Sequence, residues 1–400
     1  MLPNLENRTI VHLDLDTFFV AVERLNNSKL NGLPVIVGGM SDRGVVAGCS
    51  YEARTFGVHS AMPMRMARAL CPDAIVIRGD MEQYSYYSNM VTDIIAEESP
   101  MYEKASIDEH YIDITGMDRF FGSLKWSHEL RERIIRESGL PISFGLSINK
   151  TVSKIATGQA KPNGELQVEA PRIHSFLDPL SIIKIPGIGD KTFRLLRSMG
   201  IAYIETLRNM PIEMVERVLG KNGIIIWKKA NGIDHSAVEA YSERKSISTE
   251  TTFEQDTINI PMINDLLLKM VEKISFQLRS KKKLTSCVTV KVRYANFDTH
   301  TLQHRIPYTA FDHVLLPVVR SLFNRLYQRR MLIRLIGIKF SHLVSGVQQI
   351  NMFDDQPETI SLYQAMDRIR NRFGVKAITR ASTLGRNEDE EQTNMFKADS

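Results

Sequence analysis

Cysteine is scarce: Cys49, Cys71 and Cys287 are the only three in 400 residues, and no two have the spacing of a zinc site. An odd, scattered set excludes a disulfide framework and suits a reducing compartment, with the thiols as small buried residues. No apolar run is long enough to span a bilayer. The opening stretch, MLPNLENRTIVHLDLD, reaches its acids too soon for a secretory signal, so a cytoplasmic location without membrane contact is expected. No long internal repeat occurs, which excludes solenoids. Net charge is only +5, so no strong overall field exists. What is present is 43% hydrophobic and 24% charged residues, a globular composition long enough for two to four domains.

Charge is unevenly placed. Residues 243–345 hold 17 Lys and Arg against 8 acids, a balance of +9 that fits either a polyanion-facing surface or a solvated one. TIVHLDLDTFF reads as a strand with Val11, Leu13 and Leu15 on one face and His12, Asp14 and Asp16 on the other. A helix follows from about Val20, then short strands at PVIVGG and GVVAGCS, and a long amphipathic helix through Tyr84, Val91 and Ile95. ASIDEHYIDITG is a further strand. A helix around Trp126, Leu130 and Ile134 stops at Gly139, and PISFGLSI is the next strand. The first 165 residues therefore form an α/β domain. Short helices follow KPNG, a polar linker is expected over 241–256, a smaller α/β unit over 257–345, and a polar tail over 346–400. The fold class is α/β, multi-domain.

Two adjacent acids, Asp108 and Glu109, interrupt the ASIDEHYIDITG strand. Pairing it with the Asp14 strand would gather three carboxylates whose mutual repulsion calls for a cation. Oxygen donors favour Mg²⁺, and two such ions can hold both the attacking and the leaving oxygen of a phosphoryl displacement. Periodicity does not choose between Asp14 and Asp16. In SYEARTFG, Tyr51 and Arg54 are one helical turn apart and suit a triphosphate, with Lys161 as a further point charge. In PGIGDKT, Gly187 and Gly189 let backbone N–H groups approach a phosphate at a helix start, beside Lys191, as in a helix-hairpin-helix that holds the DNA backbone.

Five stretches, HLDLDTFFVAVE, SYEARTFGVHSAMPM, SIDEHYIDIT, SINKTVSKIATGQAKPNG and IPGIGDKT, resemble in order and spacing the Y-family DNA polymerases, over roughly residues 9–345. The resemblance implies a right-hand polymerase. Its palm would be 1–17 and 84–170, its fingers 18–83, its helix-hairpin-helix thumb 171–240, and its little finger 257–345. It makes Asp14, Asp108 and Glu109 the catalytic acids and, with the Leu15 carbonyl, the ligands of two Mg²⁺ ions, leaving Asp16 outside that set. Phe18 and Phe19 would lie at the nucleotide, with Phe19 the steric gate beneath the sugar. Tyr51, Arg54 and Lys161 would hold the dNTP, while Gly187, Gly189, Lys191 and Arg334 would contact primer-template DNA. The implied activity is low-fidelity, template-directed DNA synthesis without proofreading, in translesion synthesis. Where relatives commonly carry Ser-Thr before this Tyr, the chain has Ala47 and Gly48, so the resemblance implies a hydroxyl contact to the triphosphate that is either missing here or replaced by a backbone N–H. Two tail segments, QINMF (Gln349, Met352, Phe353) and QTNMF (Gln392, Met395, Phe396), resemble peptides that bind the β sliding clamp. A monomer is expected.

Overall fold

The computed structural model describes residues 8–117, 122–240, 243–328, 331–346, 357–374 and 377–381. The chain divides into two compact units between residues 242 and 243. The first contains, in order, β1 (Ile10–Leu15), α1 (Phe18–Asn26), β2 (Val35–Gly38), β3 (Val46–Cys49), α2 (Tyr51–Thr55), α3 (Met64–Leu70), β4 (Ile75–Ile77) and α4 (Met81–Glu98). It continues with β5 (Tyr102–Lys104), β6 (Glu109–Asp113), α5 (Ser123–Ser138), β7 (Ile142–Ser147), α6 (Lys150–Ala160) and β8 (Glu165–Gln167).

β1 is the middle strand of a sheet ordered β5-β6-β1-β7-β8 and runs antiparallel to both neighbours. Its alternation predicts a polar face, yet His12 is fully buried. The cause is α6, which covers that face. His12 Nδ1 lies 2.8 Å from Thr157 Oγ1, which itself donates to the His12 carbonyl at 3.0 Å. Gly145 of β7 permits this approach, since a Cβ there would lie 2.2 Å from the Ser153 carbonyl oxygen. β2 lies between β3 and β4 in a separate three-stranded sheet. α4 starts where the Asp80 carboxylate accepts from the Glu82 and Gln83 N–H groups. α5 stops at Gly139, whose φ of 72° is open to glycine at little cost. Beyond β8 the unit turns helical, through α7 (Ile173–Leu177), α8 (Asp190–Ser198), α9 (Ile204–Arg208), α10 (Ile212–Leu219) and α11 (Lys221–Ala230).

The second unit contains β9 (Ser246–Thr257), α12 (Ile260–Ser280), β10 (Lys283–Tyr294), β11 (Thr299–Thr309), α13 (Asp312–Leu326), β12 (Ile333–Ser345) and α14 (Pro357–Phe373). Its antiparallel sheet is ordered β11-β10-β12-β9. Val288, Val290 and Val292 of β10 and Ile336, Ile338 and Phe340 of β12 join the helices in one core. The alternate positions put Lys291 and Lys339 on the opposite side.

Two expectations are corrected here. The stretch expected as a linker over 241–256 forms β9 from Ser246 onward, paired along β12. It reads as a linker because it is an edge strand whose outward residues are polar. The expected tail contains α14, which packs on the second unit through polar groups rather than an apolar stripe. Asp367 takes both Nε and Nη2 of Arg279, at 2.7 and 3.0 Å, and buried Tyr363 stacks on Phe311 with centroids 4.9 Å apart. Among the described residues no helix is long and apolar enough to cross a membrane.

Candidate active site

The β1–β6 register places Asp14 opposite Glu109, and the Leu15 N–H donates to the Asp108 carbonyl at 3.0 Å. The three acids therefore gather at one end of one strand pair. Each side chain has its own partner. Lys161 Nζ lies 2.5 Å from Asp14 Oδ1, Lys154 Nζ 2.5 Å from Glu109 Oε2, and Ser106 Oγ donates to Asp108 Oδ1 at 2.5 Å. Asp16 is spent on structure: it is 1% exposed, and it accepts from Ser143 Oγ at 2.8 Å, the Asn163 N–H at 2.6 Å and the Tyr51 hydroxyl at 3.4 Å. Asp113 likewise turns to the Thr115 N–H at 3.0 Å.

Burial pushes the Asp14 carboxyl up to about 6 despite Lys161. Glu109 is held down at about 2 by the His12 ring and by Lys154. The ring stands 3.9 Å away, beyond hydrogen-bond length, so the Lys154 contact carries the larger part. Burial also keeps His12 neutral, at about 4.

The donor set of Asp14, Asp108, Glu109 and the Leu15 carbonyl is all oxygen, the chemistry of a hard divalent cation. Among the described residues no three such side chains converge tightly enough to form a metal cluster unaided. Asp14 and Glu109 each meet a lysine instead, so a cation at this strand end competes with ammonium groups for their oxygens.

Two of the residues expected at the nucleotide, Tyr51 and Lys161, meet at Asp16. The Ser50 hydroxyl caps α2 by accepting from the Ala53 N–H at 3.2 Å, and the Arg54 guanidinium carbon lies 4.9 Å from the Tyr51 ring centroid. Tyr51 reaches Asp16, whose Oδ1 is also 3.5 Å from Lys161 Nζ. Phe18 is 3% exposed and packs in the core, so Phe19, half-buried and stacked on Tyr84, is the outward ring of the pair.

Gly187 has a φ of 105°, strained for any other residue, and Gly189 precedes α8. Gly189, Asp190, Lys191, Thr192 and Arg194 line an open depression at the start of that helix. In the second unit, Arg334 lies over the Phe297 ring at 4.6 Å. Both QINMF and QTNMF fall outside the described residues. Ser106, His12 and Lys154 are the site neighbours missed from sequence.

Residues 13–158 match the model of the impB/mucB/samB family, and residues 244–352 match the model of that family's C-terminal domain. A DNA polymerase IV of Dehalococcoides mccartyi is 38% identical over 380 residues, covering 94% of this chain and 97% of that protein. A solved Y-family DNA polymerase chimera superposes with a TM-score of 0.77 at 26% identity, covering 84% of this chain and all of the chimera. The chain belongs to the Y-family of DNA polymerases. A DNA polymerase IV of Treponema denticola, 35% identical over 344 residues, covers 86% of this Y-family chain and 87% of its own. Its mixed α/β architecture is the right-hand fold of that family. Membership also carries a general requirement for a divalent metal.

Proposed function

We infer that the chain is a template-directed DNA polymerase that adds deoxynucleoside monophosphate to a primer 3′-hydroxyl and releases pyrophosphate. It works at low fidelity in translesion synthesis. The observation that carries the site assignment is the strand register that sets Asp14 against Glu109 and bonds Asp108 to Leu15. Asp14, Asp108, Glu109 and the Leu15 carbonyl would hold two Mg²⁺ ions there. Bound Mg²⁺ supplies Lewis acidity at the 3′-hydroxyl and neutralises the triphosphate.

The chain's own groups do the rest. Lys161, 2.5 Å from Asp14, is placed to pass its charge to the triphosphate, and Arg54 and Tyr51 add a fork of donors and a hydroxyl. Phe19 rejects a 2′-hydroxyl by collision. Gly187, Gly189 and Lys191 hold the DNA backbone at the start of α8, and Arg334 adds a cation from the second unit. The palm comprises 1–17 and 84–170, the fingers 18–83 and the thumb 171–240. The little finger begins with β9 at Ser246 rather than at 257.

The enzyme acts as a monomer in the cytoplasm, where its DNA and dNTP substrates are, and the QINMF or QTNMF segment tethers it to the β sliding clamp. A palm-like nucleotide cyclase would share the acids but has no use for the Gly187–Lys191 turn. Primer extension with Mg²⁺ on a primer-template is the test. Template-directed extension is expected, and an enzyme that extends no primer would overturn the reading.

A further inference from the structure

The Phe19 ring is stacked on Tyr84, with centroids 4.5 Å apart and planes 26° from parallel. A glycine touches each ring. At Gly48 of β3, a Cβ would lie 3.3 Å from Phe19 Cδ2 and 3.6 Å from its Cβ. At Gly79, a Cβ would lie 3.0 Å from Tyr84 Cε2 and 3.2 Å from its hydroxyl. Tyr84 cannot yield: it is 1% exposed, and its hydroxyl donates to Glu23 Oε1 at 2.5 Å. Phe19 is only half-buried, so it is the ring that must move if Gly48 gains a side chain.

Backbone conformation does not explain a glycine at position 48. It lies within β3, paired with Val37 of β2, and it is absent from the residues with positive φ. A glycine in a strand interior weakens the strand and often marks a close approach. Here the close approach is to the Phe19 ring.

We propose that Gly48 is a positioning residue for sugar selection: its missing side chain sets where the Phe19 ring rests, and so how closely that ring meets the sugar of the incoming nucleotide. The inference rests on the reading of Phe19 as the gate. The neighbouring Ala47 is exposed and falls at the irregularity between the Val37–Gly48 and Gly38–Val46 pairs, so it serves as the control position.

The test is a double-mutant cycle on the full-length enzyme, reading kcat/KM for one dNTP and for the matching ribonucleotide. Both rates come from the same preparation, so any loss of folded protein cancels from their ratio. Gly48→Ala should lower the deoxy-over-ribo preference by about 3- to 10-fold, as expected of a sub-ångström misplacement. Phe19→Ala should lower it further, and adding Gly48→Ala to Phe19→Ala should then change nothing, because no ring remains to displace. Ala47→Ser should leave the ratio unchanged. A Gly48→Ala ratio equal to wild type, or effects that multiply in the double variant, would overturn the positioning role while leaving the gate standing. An unchanged ratio in Phe19→Ala would instead remove the gate itself.

Discussion

Asp14 and Glu109 face each other across the β1–β6 pair, yet their surroundings drive their acidities apart, Asp14 to about 6 and Glu109 to about 2. Asp14 is the more buried and has one ammonium partner; Glu109 has Lys154 in contact and His12 close by. The strand register thus joins two carboxylates that the fold treats in opposite ways.

Stability should follow this split. Asp14 rises from its ordinary 3.8, so the folded chain binds its proton more readily than the unfolded one, and stability falls as pH climbs from about 4 to 6. Glu109 drops from its ordinary 4.5, so its contribution is present above that value and is lost as pH falls towards 2. In buffer with a chelator at neutral pH, Asp14→Asn should therefore raise the melting temperature of the first unit by about 2–5 °C, and Glu109→Gln should lower it by a similar amount. A lower melting temperature in Asp14→Asn would contradict the assignment.

Sugar selection should depend on Phe19. Phe19→Ala should accept ribonucleotides on the order of 10²-fold more readily relative to dNTP, because the collision with the 2′-hydroxyl is gone. Phe18→Ala, by contrast, should cost stability, about 3–5 kcal/mol for emptying a core site. Thermal denaturation and single-nucleotide incorporation separate the two effects.

DNA affinity should report on the turn before α8. Gly187→Ala forces a side chain into a φ of 105° and should destabilise that turn by about 1–2 kcal/mol, seen as weaker primer-template binding by fluorescence anisotropy. Lys191→Ala should weaken binding evenly across sequences and reduce the salt slope by about one. A salt slope equal to wild type would place Lys191 away from the DNA backbone.

Clamp stimulation should need the C-terminal segments. Replacing Gln349, Met352 and Phe353 together with Gln392, Met395 and Phe396 by alanine should abolish stimulation by the β clamp and leave extension without clamp unaffected. Stimulation that survives all six changes would move the contact elsewhere.

Much of the first unit was legible in the sequence, because its strands alternate and its helices carry stop signals such as Gly139. The convergence of Asp14 with Asp108 and Glu109 was legible too, since it needs only two strands to pair. The choice between Asp14 and Asp16 was not, because both share one face of β1. What distinguishes Asp16 in the structure is its bonding to Ser143 and Asn163, which come from β7 and the KPNG turn and are distant in sequence. β9 was hidden because an edge strand with polar outward residues resembles a linker. α14 was hidden because it docks through Arg279–Asp367 and Tyr363 rather than through an apolar face. The Lys154–Glu109 contact was missed because nothing in a single lysine marks its partner 45 residues away.

The central claim is that Asp108 belongs to the catalytic acids while the neighbouring buried Asp16 is structural. Single-turnover incorporation of a correct dNTP with Mg²⁺, measured for wild type, Asp108→Asn and Asp16→Asn alongside their melting temperatures, tests it most directly. Asp108→Asn should keep its melting temperature and lose activity by at least about 10³-fold. Asp16→Asn should instead melt at lower temperature through its lost bonds to Ser143 and Asn163. An Asp108→Asn enzyme that incorporates nucleotide at the wild-type rate would contradict the account.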